Sequence, residues 1–284
     1  MVNLKELRKV SASELEECGN DSPLADVDYI LAHVLGFGKS DIVLGDKRID
    51  DKQKAIFDDA ISRVKSGEPV QYVVGGCEFM SLWFQVNSAT LIPRSDTEIL
   101  VESIIEVCKN RNSVNVFEIG TGSGCIAVSL AYYLPGVRVV SADISAAALD
   151  TAAKNAKRLG VSDRCEFIEC DIMKEFPEFD TLPDIVVSNP PYIPHNDITD
   201  LDDKVKLHEP LSALDGGCDG LYFYRRIAKD VPINTEGILA FEVGIGQAQS
   251  VSHIMSERFT DIKIHRDIAG IDRVVIGRLK KDVI

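Results

Sequence analysis

The chain has 284 residues, 45% of them hydrophobic, and a formal net charge of −14. That length allows one large domain or two unequal ones with a proper core. The acidic balance, relieved only by a short Arg278, Lys280, Lys281 cluster, argues against a protein that tracks a nucleic-acid backbone. No leader-like start and no long apolar span point to secretion or a membrane. Seven scattered cysteines without a Cys-x-x-Cys pair fit a reduced, cytoplasmic protein, and five dispersed histidines give no reason to expect a metal.

Residues 1–68 read as a small helical bundle. Leu4, Leu7, Val10 and Leu15 are spaced for one helical face. Ser22-Pro23 opens a second helix with proline at its first position, and Gly36 to Gly38 closes it. Asp50 caps a third, with Ile56, Ala60, Ile61 and Val64 on one face and Lys65-Ser66-Gly67 at its end. His33 sits among apolar neighbours and reads as a packed core histidine. The bundle carries no chemistry of its own, so recognition or capping is its expected job. Residues 69–90 read as a hairpin linker, with Gly75-Gly76 turning between Val70, Tyr72, Val73 and the run Phe79, Leu82, Trp83, Phe84, Val86.

Residues 91–284 read as an open α/β domain. Ser95 and Glu98 have capping-box spacing for a helix that runs to about Cys108. Arg94 and Thr97 fall near any pocket at that start, although by pattern alone an ordinary helix start is the better explanation. Val114 to Ile119 is a strand that runs through Glu118 into Gly120-Thr121-Gly122-Ser123-Gly124, and Cys125 to Tyr133 is a helix. Glycines at alternate positions let a ligand lie against bare backbone. The next strand, Val137 to Ala142, ends in Asp143, placed to accept ribose hydroxyls. Glu118 attracts an ammonium group and repels phosphate, which favours S-adenosylmethionine over a nicotinamide cofactor. A helix from Ser145 to Leu159 stops at Gly160, and a third strand, Cys165 to Cys170, leads to Asp171-Ile172. There the carboxylate can meet an adenine amino group and the isoleucine its ring.

The fourth strand, Asp184 to Val187, ends in Ser188-Asn189-Pro190-Pro191-Tyr192. The prolines lack N–H groups, hold φ near −65° and push the preceding residues into extended shapes. Asn189 has a carbonyl and an NH₂ on one short arm, Pro190 has an acceptor carbonyl, and Tyr192 has a flat ring. Together they can grip a planar group that bears an NH₂. Helices near 221–229 and 246–258, a strand at 237–242 and a closing strand pair at 262–265 and 273–277 complete the alternation. All the polar features then fall on the carboxyl edge of one Rossmann-like sheet.

These motifs resemble those of the peptide chain release factor glutamine methyltransferases (the HemK/PrmC type). The matching stretches are Gly67 to Tyr72, Leu91 to Glu98, Glu118 to Gly124, Ser188 to Tyr192, Glu209-Pro210 with Ala213-Leu214, and Gly270 to Arg278. Ser95 stands where the family commonly has proline. The resemblance implies a class I methyltransferase that moves a methyl group from S-adenosylmethionine to the glutamine side-chain nitrogen of the Gly-Gly-Gln loop in peptide chain release factors 1 and 2. Asn189 and Pro190 would hold the amide, with Pro191, Tyr192, Arg94 and Thr97 around it. The alternatives are a ribosomal-protein glutamine, or adenine-N6 or guanine-N2 in nucleic acid, since the Asn-Pro-Pro-Tyr box is shared with such enzymes. The charge of −14 weighs against nucleic acid.

Overall fold

A computed structural model describes residues 2–45 and 47–281. The chain divides into two compact units, residues 1–76 with 202–208, and residues 77–201 with 209–284.

The first unit contains β1 (Val2–Asn3), α1 (Leu4–Glu17), α2 (Pro23–His33), α3 (Lys39–Leu44), β2 (Arg48–Ile49), α4 (Asp51–Lys65) and α5 (Val70–Val74). Asn3 caps α1, its side-chain oxygen accepting from the Lys5 and Glu6 amides. Asp50 and Gln53 form a reciprocal capping box on α4. The buried stripe of α1 is Leu4, Leu7, Ser11 and Leu15, and the expected Val10 is 50% exposed. Six positions beyond Leu4, Val10 has rotated off the inward face. For the same reason Phe57 replaces Ile56 on the inner face of α4. His33 is exposed and lies against the Tyr29 ring, so it is not a core residue.

Gly75-Gly76 does not turn the hairpin. Val70 to Val74 is one helical turn after Pro69, ended by Gly75 at φ +77°. The hairpin is β3 (Gly76–Phe79) with β4 (Leu82–Gln85), and it turns at Met80-Ser81, both at positive φ. Glu98 holds that turn by accepting from the Met80 amide at 2.5 Å. It is therefore not the partner of a Ser95 cap: α6 (Ser95–Cys108) has Arg94 at its N-cap, and Ser95 takes the first helical position. Proline is well accommodated at such a position.

The larger unit is built on β5 (Val114–Ile119), β6 (Val137–Asp143), β7 (Cys165–Glu169), β8 (Ile185–Ser188), β9 (Ile238–Glu242), β10 (Phe259–Arg266) and β11 (Asp272–Leu279). The sheet order is β10-β11-β9-β8-β5-β6-β7, with β11 antiparallel to both neighbours and the rest parallel. Residues alternate between its two faces. Val114, Val116, Ile185, Val187 and Ala240 pack with α6, α7 (Cys125–Tyr133), α8 (Ala146–Arg158) and the hairpin's Phe79 and Phe84. On the other face Phe117, Val186, Leu239 and Phe241 meet α10 (Tyr222–Asp230) and α11 (Ala248–Met255). A four-residue helix, α9 (Asp203–Lys206), lies in the segment that belongs to the first unit.

Asn155, fully buried on α8, ties this unit together. Its amide nitrogen donates to the Gln85 and Ser123 carbonyls at 3.0 and 2.9 Å, and its oxygen accepts from the Gln85 amide at 2.8 Å. One side chain thus fixes β4 and the glycine loop to the same helix. Asn155→Ala strands buried backbone groups, and a loss of about 2–4 kcal/mol is expected in urea unfolding.

Candidate active site

The strands lead outward from β5 through β6 to β7, then return to β8 on the other side of β5. Ligands bind at such a reversal, beyond the strand carboxyl ends. Ile119 of β5 lies opposite Ser188 of β8, and the Ser188 hydroxyl donates to the Ile119 carbonyl at 2.7 Å. The glycine loop and the Asn-Pro-Pro segment therefore leave the sheet side by side. A Cβ on Gly120 would lie 3.7 Å from the Asn189 carbonyl oxygen.

Gly120, Gly122 and Gly124 all take positive φ. A Cβ on Gly124 would come within 2.8 Å of the Ala152 Cβ, so that glycine also sets the approach of α7 to α8. Asp143 steadies the loop: one carboxylate oxygen accepts from the Gly122 amide at 2.8 Å, the other from the Ser145 amide at 2.9 Å. Beneath the loop, Thr121 and Ser141 share a hydroxyl contact at 2.7 Å, and Ser141 donates to Glu118. Glu118 is fully buried, and its Oε1 has no partner among the described residues. Burial pushes its carboxyl up to about 8, against the Ser141 hydrogen bond, while the Asp143 charge adds to the rise.

A mostly apolar cavity of ≈ 420 Å³ opens at this edge. Gly120 to Ser123, Asp143, Asp171, Ile172, Asn189, Pro190, Pro191, Arg94 and Thr97 all line it; Glu118, Gly124 and Tyr192 do not. Asp171 accepts from the Met173 amide at 3.1 Å and pairs with Lys174 at 3.0 Å, which holds its carboxyl below the usual range. The Ile172 side chain is buried, and its carbonyl accepts from the Arg226 Nε at 2.9 Å.

The Tyr192 ring is braced behind the segment. A Cβ on Gly244 would come within 3.0 Å of that ring, and Gln247 donates to the Tyr192 carbonyl at 2.8 Å. Leu214 and Gly216 hydrogen-bond the backbone of Ile193 on the outer side, at 3.0 and 2.8 Å. A Cβ on Gly216 would fall 2.7 Å from the Tyr192 Cα, so glycine is required for that approach.

Three participants escaped the sequence reading as site residues. Glu209 is buried, pairs with Arg94 and accepts from the Ile92 amide at 3.2 Å. Gln247 clamps the segment. Glu242 ends β9 at 2% exposure, with the Thr97 and Asn189 side chains within hydrogen-bonding reach of its carboxyl. Its acid group is pushed up to about 7, chiefly by burial. An acidic residue after an apolar strand is the one signal that marked Glu242, and many solvated strand ends carry the same signal.

Glu118 and Glu242 have a consequence for stability. Between pH 4.5 and about 8 the folded chain keeps protons that these groups release on unfolding. Their contribution to stability therefore falls as pH rises through that window. His265, held down chiefly by burial, has the opposite sign. Glu118→Gln isolates the effect. Urea unfolding without ligand is expected to show the variant gaining on the parent chain from pH 5 to pH 8.5, and a constant difference contradicts it.

Comparison with known proteins agrees with this architecture. The PrmC N-terminal domain model matches residues 6–75 and the methyltransferase small domain model matches residues 95–205. A methyltransferase structure from Pyrococcus furiosus superimposes with a TM-score of 0.51 at 14% identity, covering 81% of this chain and 98% of the other. The hMettl16 catalytic domain gives a TM-score of 0.56 at 14% identity, covering 83% and 84%. These two establish the class I methyltransferase fold. In sequence, the release factor glutamine methyltransferase of Clostridium acetobutylicum is 38% identical over 93% of this chain and 94% of its own length. The Geobacter sulfurreducens protein of the same name is 39% identical over 93% of each, and that of Bacillus cereus 35% over 97% and 99%. With this identity along nearly the whole length and the cavity at the β5–β8 reversal, the chain belongs to the release factor glutamine methyltransferase family.

Proposed function

We propose that this chain methylates the side-chain amide nitrogen of the Gly-Gly-Gln glutamine in class 1 peptide chain release factors 1 and 2, in the cytoplasm, giving N5-methylglutamine. The observation that carries the reading is one cavity shared by a glycine loop with its acidic neighbours and a proline-braced Asn189.

The lining suits a nucleoside with an amino-acid tail. Gly122 has nothing within 4 Å of where a Cβ would stand, so a ligand can lie on the loop backbone. Asp143 keeps acceptor capacity for ribose hydroxyls beyond its two amide bonds. Asp171 and Ile172 take the adenine amino group and ring. Glu118 lies beneath the loop and off the cavity wall, so it favours an ammonium group through its charge when ionised and not by direct contact. When bound, S-adenosylmethionine supplies an electrophilic methyl on a sulfonium.

The chain's own contribution is chiefly placement. A carboxamide nitrogen is a weak nucleophile because its lone pair is delocalised. The Asn189 Oδ1 and the Pro190 carbonyl accept its two N–H groups, which aims the nitrogen and favours positive charge developing on it. Both acceptors sit on a backbone that two prolines stiffen and that Gln247 and Gly216 hold from behind. Tyr192 braces that backbone. Arg94, neutralised by Glu209, borders the entrance.

Labelled cofactor offered separately to a release factor, to ribosomes and to DNA tests the assignment. Label is expected on the release-factor glutamine alone, and label on DNA or a ribosomal protein overturns it. Asn189→Ala is expected to lower the transfer rate at least ~100-fold with cofactor affinity within about 3-fold, since its hydrogen bonds face the acceptor. Asp143→Ala is expected to weaken cofactor binding by about 10- to 100-fold in titration calorimetry; unchanged affinity removes it from the ribose role.

A further inference from the structure

Asn189 can serve as an acceptor only if its amide is turned the right way. The carbonyl and NH₂ ends have nearly the same shape, so packing alone does not choose between them. The Asn189 Nδ2 donates to the Thr97 hydroxyl at 3.2 Å. Thr97 is 3% exposed, in the first turn of α6. A hydroxyl has one proton. Thr97 accepts from Asn189 with full polarity only if that proton is directed elsewhere.

Glu242 is where it goes. In the parallel register Ser188 of β8 lies opposite Phe241 of β9, so the next residues, Asn189 and Glu242, leave the two strands together. The Thr97 hydroxyl and the Asn189 amide both stabilise the ionised form of the Glu242 carboxyl. A carboxylate only accepts. Its presence makes Thr97 a donor towards it, and that makes Asn189 present its NH₂ inwards and its oxygen to the cavity. The Glu242 Oε2 is buried without a partner among the described residues, a cost that an apolar or amide side chain would lessen.

We propose that Glu242 is a positioning residue for methyl transfer: ionised, it sets the polarity of the Asn189 amide through Thr97, so that the Oδ1 faces the substrate carboxamide. This rests on the reading of Asn189 as the acceptor of the substrate N–H. Protonated, Glu242 gains a donor and the ordering is lost. The charged and titratable groups around it are Asp96 and Arg273, which pair with each other at 3.0 Å, and Tyr192, Tyr224 and Cys125. Arg273 also pairs with Asp267 at 2.9 Å. Burial pushes both tyrosines and the thiol well above their ordinary values, so none of them titrates near neutrality.

The test is single-turnover methylation of a release factor at saturating cofactor, with cofactor affinity and melting temperature measured on the same preparations. Glu242→Gln keeps the shape and loses the one-way acceptor. Its rate is expected to fall about 10- to 100-fold, with cofactor affinity and melting temperature close to the parent's. The parent's rate is expected to rise with pH along a single-proton limb near 7 that the variant lacks. Thr97→Val is expected to lose a similar factor, with no further loss in the double variant, and Thr97→Ser to recover most of it. The proposal is overturned if Glu242→Gln stays within about 2-fold of the parent, or keeps the pH limb. It is equally overturned if rate, affinity and melting temperature fall together in both Glu242→Gln and Thr97→Val. Asn189→Ala separates the two readings: full activity there refutes the acceptor site itself, whereas an inactive Asn189→Ala beside a fully active Glu242→Gln refutes only the role of Glu242.

Discussion

The pairing of β5 with β8 is the constraint on which the site depends. The Ser188 hydroxyl bonds to the Ile119 carbonyl at the last rung of that pairing. Beyond it the two chains diverge, one into a loop that glycine makes bare and the other into a segment that proline makes stiff. A one-residue slip would turn the side chains of β8 to the opposite face and bury Asn189. β5, β8 and β9 are buried on both faces, and the fit of each face to its own helices opposes that slip, so core packing holds the register.

Three buried acids surround the rim, and their partners differ. Glu209 meets the Arg94 guanidinium and a backbone amide, and its charge is compensated. Among the described residues, Glu118 and Glu242 meet hydroxyls and amides, and each leaves one oxygen without a hydrogen-bond partner. Such groups destabilise a fold when ionised. In the proposed function their positions, under the glycine loop and beside Asn189, are where negative potential would suit an ammonium group or order a donor. If the proposed roles hold, stability and function run in opposite directions with pH at these two residues, as is common where a site stores unfavourable interactions.

Local competition explains where sequence patterns misled. Val70-Gln71-Tyr72-Val73-Val74 has β-branched and aromatic composition, yet it forms a helical turn that packs its valines into the first unit's core. Glu98 has the right offset for a capping box, but the Met80 amide in the hairpin turn takes its carboxylate. In both cases a tertiary partner outweighed a local preference of a few tenths to about 1 kcal/mol. The short helix α3 had no periodic signal long enough to read.

From its residues alone this chain determined the strands β5 to β9, the glycine loop, the rigid Asn-Pro-Pro exit and the single edge on which they meet. Those features rest on short apolar runs bounded by turn residues, on backbone conformations that favour glycine and on the fixed φ of proline, all of them short-range. Tertiary structure decided which buried polar group meets which partner: Glu209 with Arg94, Glu98 with Met80, Asn155 with the glycine loop, Glu242 with Thr97 and Asn189. Those pairings join residues far apart in the chain. They follow from how α6, α8 and β9 pack, and no local spacing encodes them.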